Sequence, residues 1–255
     1  VAAGALCTHL LAHFGVWVRS QVLQIGDVRA QVGDITDDDV WAQVELSPVR
    51  CAEASAQDAM CAAIDAAAEQ GDTLGGLGEV VAFGVPPGLG GYATWTERLD
   101  AALAAALMSV PSVKAVEIGD GWAAAGLPGS LVHDEIVRSD NRPSGLGRST
   151  NRAGGLEGGM SNGEPIVLRA AFKPIPTLRR PLGSVNLDTW QPEEAHAERS
   201  DVCIVPAGCV VLEAMVAITL ADAALLKFGG DCLSDTVAGY KHYLSRLEAR
   251  VPRGR

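Results

Sequence analysis

The sequence Thr150-Asn-Arg-Ala-Gly-Gly-Leu-Glu-Gly-Gly-Met-Ser-Asn-Gly-Glu-Pro-Ile-Val-Leu-Arg-Ala-Ala-Phe-Lys-Pro-Ile-Pro-Thr177 decides the fold and the site. Its first part holds five glycines between 154 and 163, so backbone amides there can approach a ligand. Pro165 to Phe172 reads as a strand. Two prolines then stiffen the loop that follows, which can present the Lys173 cation and the Thr177 hydroxyl. By itself, a rigid surface turn is the simpler interpretation of that loop.

The glycine string matches neither of the common nucleotide-phosphate fingerprints. Its spacing is not Gly-x-Gly-x-x-Gly, and no Gly-Lys-Ser or Gly-Lys-Thr follows it. The surrounding charge favours an anionic ligand, because residues 138–180 hold eight Arg and Lys against three Asp and Glu in a chain of net charge −11. An exposed flexible loop with scattered charge explains this composition equally well.

Outward from this stretch, the chain alternates helical and extended patterns, which predicts a mixed fold of helices and strands. Helices are predicted over 1–14, 52–70, 96–109, 208–228 and 233–249. Strands are predicted over 16–28, 74–85, 113–118, 165–172 and 185–188. Gly71 is placed to end the second helix, and Thr96 to begin the third as its N-cap.

Composition restricts the function classes. With 255 residues, 48% apolar and 20% charged, the chain is typical of a soluble globular protein of one large or two small domains. Its acidity disfavours nucleic acid and anionic lipid as partners. The apolar run 208–228 contains Glu213, Asp222 and Lys227, which are costly inside a bilayer, so a core helix is predicted.

The cysteine and histidine patterns favour neither disulfides nor a metal site. Six cysteines lie at 7, 51, 61, 203, 209 and 232 without Cys-x-x-Cys spacing, which predicts buried free thiols in a reducing cytosol. The run His133-Asp134-Glu135 is a weak metal candidate, because adjacent residues of a strand point to opposite faces.

The run Arg199-Ser-Asp-Val-Cys-Ile-Val-Pro206 is a further candidate. An arginine beside a carboxylate can hold a phosphate while the carboxylate moves a proton, which would involve Arg199 and Asp201. On the pattern alone, an ordinary Arg–Asp ion pair is the favoured alternative. A fourth stretch, Pro111 to Trp122, reads as a strand that ends in a Gly-Asp-Gly turn.

Together and in this order, these strings resemble the chorismate synthase family. The matching strings are Val116-Glu-Ile-Gly-Asp-Gly-Trp122, Gly129-Ser-Leu-Val-His-Asp-Glu135, Thr150 to Gly163, Lys173-Pro-Ile-Pro-Thr177, and Arg199-Ser-Asp-Val-Cys203 with Glu213-Ala-Met. The resemblance implies an α+β fold, a β-α-β sandwich with a helical layer between antiparallel sheets. It also implies a single domain over 1–255 that lacks the family's N-terminal portion, a cytoplasmic location and a homotetramer.

The resemblance implies a lyase of the shikimate pathway of aromatic amino acid biosynthesis. Such enzymes convert 5-enolpyruvylshikimate 3-phosphate to chorismate by a 1,4-anti elimination of phosphate and require reduced FMN. Asp201 matches the aspartate assigned to the proton at flavin N5. The residues that match FMN-binding positions are Gly158, Lys173, Pro174, Ile175, Pro176, Thr177 and Arg199, with Pro111 and Ser112 as weaker candidates.

One departure from the family matters for activity. The two histidine motifs that supply the family's proposed general acids are not found among His9, His13, His133, His196 and His242. We therefore expect this chain alone to be inactive, and a catalytically inactive FMN-binding module is the alternative. An NADPH-dependent flavin reductase, an activity that some members add, and a generic phosphosugar-binding enzyme remain further alternatives.

Overall fold

The computed structural model describes residues 1–31, 33–197 and 199–251. Its helices are α1 (Ala2–Ala12), α2 (Asp38–Leu46), α3 (Ala54–Glu69), α4 (Leu99–Met108), α5 (Gly121–Ala124), α6 (Gly129–Val132), α7 (Val205–Phe228) and α8 (Leu233–Glu248). Its strands are β1 (Trp17–Ile25), β2 (Val28–Arg29), β3 (Gly76–Phe83), β4 (Val113–Ile118), β5 (Ile136–Arg138), β6 (Leu146–Arg148), β7 (Leu156–Glu157), β8 (Met160–Ser161), β9 (Ile166–Phe172), β10 (Gly183–Val185) and β11 (Pro192–Glu194).

One antiparallel sheet of five strands organises the chain, in the order β2-β1-β3-β9-β4. The strand β9 lies between β3 and β4, with Glu79 opposite Arg169 and Val81 opposite Val167. The stretch from Leu168 to Phe172, which ends β9, is therefore paired on both sides. The other paired strands form the two-stranded ribbons β5–β6, β7–β8 and β10–β11.

A helical layer covers one face of the sheet. The long helix α7 contacts β1 and β3, and α1 and α4 pack beside it. Leu212 of α7 belongs to the same buried core as Val80 and Ala82 of β3. Side chains alternate along a strand, so Val81 points to the opposite face, where Trp41 of α2 belongs to its core. The predicted α+β class with an antiparallel sheet is confirmed.

Most predicted elements are present, with shifted ends. The strand predicted at 185–188 is wrong, because β10 ends at Val185 and the Asn186 side chain accepts from the amides of Asp188 and Thr189 in a turn. Thr96 is not an N-cap either. The helix begins at Leu99, whose amide donates to the Gly159 carbonyl at 2.8 Å.

The helix α7 is long and apolar enough to cross a bilayer by length and composition alone. In the structure it lies against the sheet with side chains such as Cys209, Leu212 and Leu220 fully buried. This position agrees with the prediction of a core helix. All six cysteines are free, but the prediction that they are buried holds only for Cys51 and Cys209 and is wrong for Cys232, which is exposed. Burial raises the pKa of the Cys209 thiol to about 12.

Candidate functional site

The 173–177 loop, Lys173-Pro-Ile-Pro-Thr177, continues directly from the end of β9. The Lys173 amide donates a 2.9 Å hydrogen bond to the carbonyl of Ser112, in the turn between α4 and β4. Ser112 has a φ of +72°, a conformation that a residue with a side chain rarely adopts. The structure therefore brings together two residues that the sequence named separately.

The middle and the end of the 173–177 loop are also anchored from outside. The Thr73 hydroxyl donates to the Ile175 carbonyl at 2.7 Å, and the Ser200 hydroxyl donates to the Thr177 carbonyl at 2.7 Å. The second bond joins the loop to the 199–203 segment, Arg199 to Cys203. These two candidate segments are thus neighbours in space, although more than twenty residues separate them in the chain.

The 199–203 segment is held by the residues just before β3, the region that also contains Thr73. The Leu74 amide donates to the Val202 carbonyl at 2.8 Å, and Leu74 forms an isolated parallel bridge with Cys203. Asp201 is exposed and lines a crevice of about 10 Å³ with Thr177 and Arg179. That volume suits about one water molecule, so the carboxylate meets solvent beside the loop.

A wider groove lies on the other side of the loop. It has a volume of about 400 Å³, and Pro174 lines it together with Leu74, Gly75 and Phe172. Lys173 and Pro176 are exposed, whereas Ile175 and Thr177 are half-buried. The loop therefore presents its cation to solvent and keeps its hydroxyl residue against the neighbouring segment.

Most arginines in the basic stretch 138–180 form ion pairs with nearby carboxylates. The ion pairs are Arg138–Asp140, Arg142–Glu164, Arg148–Glu157, and Arg169 with both Glu79 and Glu117. Within the residues that the structure describes, Lys173, Arg179, Arg180 and Arg199 make no ion pair. Arg152, beside the glycine string, also makes no ion pair in that part of the chain, so unpaired cations lie near both candidate segments; those on and beside the 173–177 loop are available to a phosphate-bearing ligand.

Gly158 does not lie with these residues. It is exposed at the tip of the β7–β8 ribbon, with a φ of +59° and open space where a Cβ would stand. That ribbon adjoins the start of β9, since the Val167 amide donates to the Gly154 carbonyl. The seven residues of β9 span about 20 Å at about 3.3 Å each, so the strand separates Gly158 from Lys173.

Asp134, which is only 8% exposed, fixes the stretch of chain just before the glycine string. Its carboxylate accepts from the Thr150 hydroxyl and, at 2.9 Å each, from the amides of Arg152 and Ala153. Burial acts to raise the pKa of Asp134, but the bonds from Thr150, Ala153 and Arg152 outweigh it, so the pKa lies below its usual value. Asp134, part of the weak metal candidate His133-Asp134-Glu135, thus holds the backbone that leads into the glycine string.

Sequence reasoning missed the turn that unites the site, Asp72-Thr-Leu-Gly75. Thr73 is 6% exposed, and its hydroxyl reaches the 173–177 loop. A Cβ on Gly75 would lie 2.2 Å from the Phe172 carbonyl oxygen, so only glycine lets the turn lie against the end of β9. The sequence signal that could have revealed this turn was polar residues followed by a pair of glycines just before a strand.

The chain is similar to known proteins along nearly its whole length. The sequence model of the chorismate synthase family matches residues 1–225. A chorismate synthase of Desulforudis audaxviator is 50% identical over 249 residues, 98% of this chain and 63% of the relative. One of Brevibacillus brevis is 50% identical over 248 residues, 97% of this chain and 64% of the relative.

A solved structure, a crystal structure of chorismate synthase, superposes with a TM-score of 0.80 at 37% identity. The superposition covers 97% of this chain and 68% of that chain. The chain spans a little under two thirds of the length of the two curated relatives described above.

Proposed function

Because the chain belongs to the chorismate synthase family, we propose that the protein carrying it catalyses the 1,4-anti elimination of phosphate from 5-enolpyruvylshikimate 3-phosphate to give chorismate. The observation that carries the proposal is the junction of two segments, made by the Ser200–Thr177 hydrogen bond of 2.7 Å. It supports the proposal because it joins the 173–177 loop, which carries the unpaired cation Lys173, to the segment that holds Asp201.

The residues around the 173–177 loop fit FMN. A flavin phosphate requires cations that no carboxylate has already neutralised, and Lys173 and Arg199 meet that requirement among the described residues. The Thr177 hydroxyl and the backbone of the turn at Pro111 and Ser112 would complete the contacts. When bound, reduced FMN supplies electron density that assists the departure of the substrate phosphate.

The chain's own groups have distinct roles in this proposal. Lys173 and Arg199 stabilise negative charge on the bound phosphates. Pro174 and Pro176, with Ile175 between them, keep the loop rigid, so that little conformational entropy is lost on binding. Asp201 accepts and returns the proton at flavin N5, because its carboxylate is exposed beside Thr177 and makes no ion pair with any residue that the structure describes.

The assignment of Gly158 to the same cofactor rests on its match to the family motif. It lies at the opposite end of β9 from Lys173, so within this chain the two residues cannot share one small cavity. A cytoplasmic homotetramer is proposed on the same family basis, and NADPH-dependent flavin reduction is a further activity that some members have.

The test is an anaerobic assay of the intact protein that carries this chain. With reduced FMN and 5-enolpyruvylshikimate 3-phosphate, we expect chorismate and phosphate in equal amounts, and neither product when FMN stays oxidised. Absence of phosphate release with reduced FMN would overturn the proposal. Binding of FMN without phosphate release would instead support the alternative, a non-catalytic FMN-binding module.

A further inference from the structure

We propose that Thr73 is a positioning residue that holds the 173–177 loop in its cofactor-binding conformation. The inference rests on the proposed function for the identity of the ligand, but its structural part concerns this chain alone. Thr73 belongs to none of the motifs that carried the family resemblance. Its role follows from where its hydroxyl points, which is into the middle of the loop.

The prolines stiffen the loop, but hydrogen bonds from other segments fix its position. Pro174 and Pro176 have no amide hydrogen, and across the described chain no backbone hydrogen bond joins two residues within 173–177. The loop is instead anchored at its start, middle and end by Ser112, Thr73 and Ser200. Of these three, only the Thr73 bond holds the central residue, Ile175. Loss of that bond leaves the centre of the loop without an anchor.

Thr73 is well suited to act as a fixed anchor. Its side chain is β-branched, which restricts its χ1 rotamers, and it is 6% exposed. Its amide donates a 2.7 Å hydrogen bond to the Asp72 carboxylate, so the backbone is also held. A hydroxyl fixed in this way places the Ile175 carbonyl, and with it the flanking prolines.

The turn that carries Thr73 serves both halves of the site. The Arg180 amide donates to the Gly71 carbonyl at 3.1 Å, and the Leu74 amide donates to the Val202 carbonyl at 2.8 Å. The turn leads directly into β3, a strand with neighbours on both sides. The sheet therefore sets the position of Thr73 relative to the 199–203 segment. Because Thr73 holds the loop, it also sets the position of the loop relative to Asp201.

The experiment compares Thr73→Val, which removes the donor and keeps the shape, with Thr73→Ser, which restores a hydroxyl. The matched control is Thr236→Val, since Thr236 is 2% exposed and its hydroxyl donates to the Cys232 carbonyl in α8, away from the loop. FMN affinity is measured by flavin fluorescence on the intact protein. Hydrogen exchange of the peptide over 173–182 is measured without FMN.

We expect Thr73→Val to weaken FMN binding by about three- to tenfold, as for one lost hydrogen bond, and to speed exchange in the loop peptide. Thr73→Ser should restore both, and Thr236→Val should change neither while lowering the melting temperature. Wild-type affinity and exchange in Thr73→Val, or an equal loss in Thr236→Val, would overturn the inference. A wild-type protein that binds no FMN would overturn the proposed function, while the exchange comparison would still decide whether Thr73 orders the loop.

Discussion

The amide of Lys173 donates a 2.9 Å hydrogen bond to the carbonyl of Ser112, whose φ of +72° is unfavourable for any residue other than glycine. The first residue of the loop is thus fixed by backbone that is itself strained. Strain of this kind persists where the surroundings enforce it, often at binding sites. Since the contact uses the backbone of Ser112, its side chain is dispensable for holding the loop.

Substitutions at Ser112 test this relationship. Ser112→Gly should retain FMN affinity and be as stable as the wild type or more so, because glycine adopts a positive φ without strain. Ser112→Val should lose about 1–3 kcal/mol of unfolding free energy, since a β-branched residue resists this conformation. Urea unfolding and an FMN titration measure both effects. Wild-type stability in the valine variant would refute the account of Ser112.

The Glu79–Arg169 ion pair should be important for stability, not for ligand binding. Glu79 is 1% exposed and lies 2.9 Å from the Arg169 Nε, in the centre of the sheet. Removal of the Glu79 charge leaves Arg169 with the longer ion pair to Glu117, at 3.4 Å, so Glu79→Gln should cost about 2 kcal/mol, as for a hydrogen bond between charged groups. Asp140→Asn, which breaks an exposed pair with Arg138, should cost less than about 0.5 kcal/mol. Denaturant unfolding measures the free energy of unfolding of both variants. Equally small losses of unfolding free energy in the two variants would contradict the prediction.

Asp134 should make stability depend on pH in the acid range. The folded-state pKa of this carboxyl lies below its usual value, so the stabilisation is present above the unfolded pKa and is lost as the pH falls through the folded pKa. Asp134→Asn should therefore be less stable than the wild type near neutral pH, by about 1.5–3 kcal/mol, as for hydrogen bonds to a charged group.

That difference between Asp134→Asn and the wild type should narrow as the pH falls below the folded pKa of Asp134. Unfolding curves recorded across the acid range measure it. A stability gap between the two proteins that stays constant down to the lowest pH at which both fold would contradict the role given to the charged carboxylate.

The cysteines should differ sharply in reactivity. Cys232 is exposed, whereas Cys209 is buried and its pKa is raised to about 12, so almost none of it is thiolate at neutral pH. An aromatic disulfide reagent should modify Cys232 rapidly and Cys209 only on unfolding. The variant Cys232→Ser should lose the fastest phase. Rapid native-state labelling of Cys209, located by peptide mass, would contradict the burial of α7.

Local patterns were enough to predict the strands and most helices near the site. Gly71 ends α3 with a φ of +70°, as its place after an apolar helical stripe indicated. The helix α2 was missed although Asp37 caps it by accepting from the Asp39 amide. Its pattern is acidic and short, so the apolar stripe that marks a helix is weak there.

The site could be predicted only in part. The loop and the Arg-Ser-Asp segment were identified as strings, but their contact through Ser200 and Thr177 depends on the antiparallel path of the chain, which no local pattern encodes. The basic stretch was also misleading as a whole. Arg142 and Arg148 in it are bound to Glu164 and Glu157, and composition cannot distinguish paired from unpaired cations.

The measurement that tests the central claim most directly is a comparison of turnover and FMN affinity in Asp201→Asn of the intact protein. Chorismate formation under anaerobic conditions should fall by about 100-fold or more, as when a proton-transferring group is lost. The FMN dissociation constant should change by less than about tenfold, because Lys173, Thr177 and Arg199 still hold the phosphate. Undiminished turnover, or a loss of FMN binding as large as the loss of turnover, would contradict the assignment of Asp201.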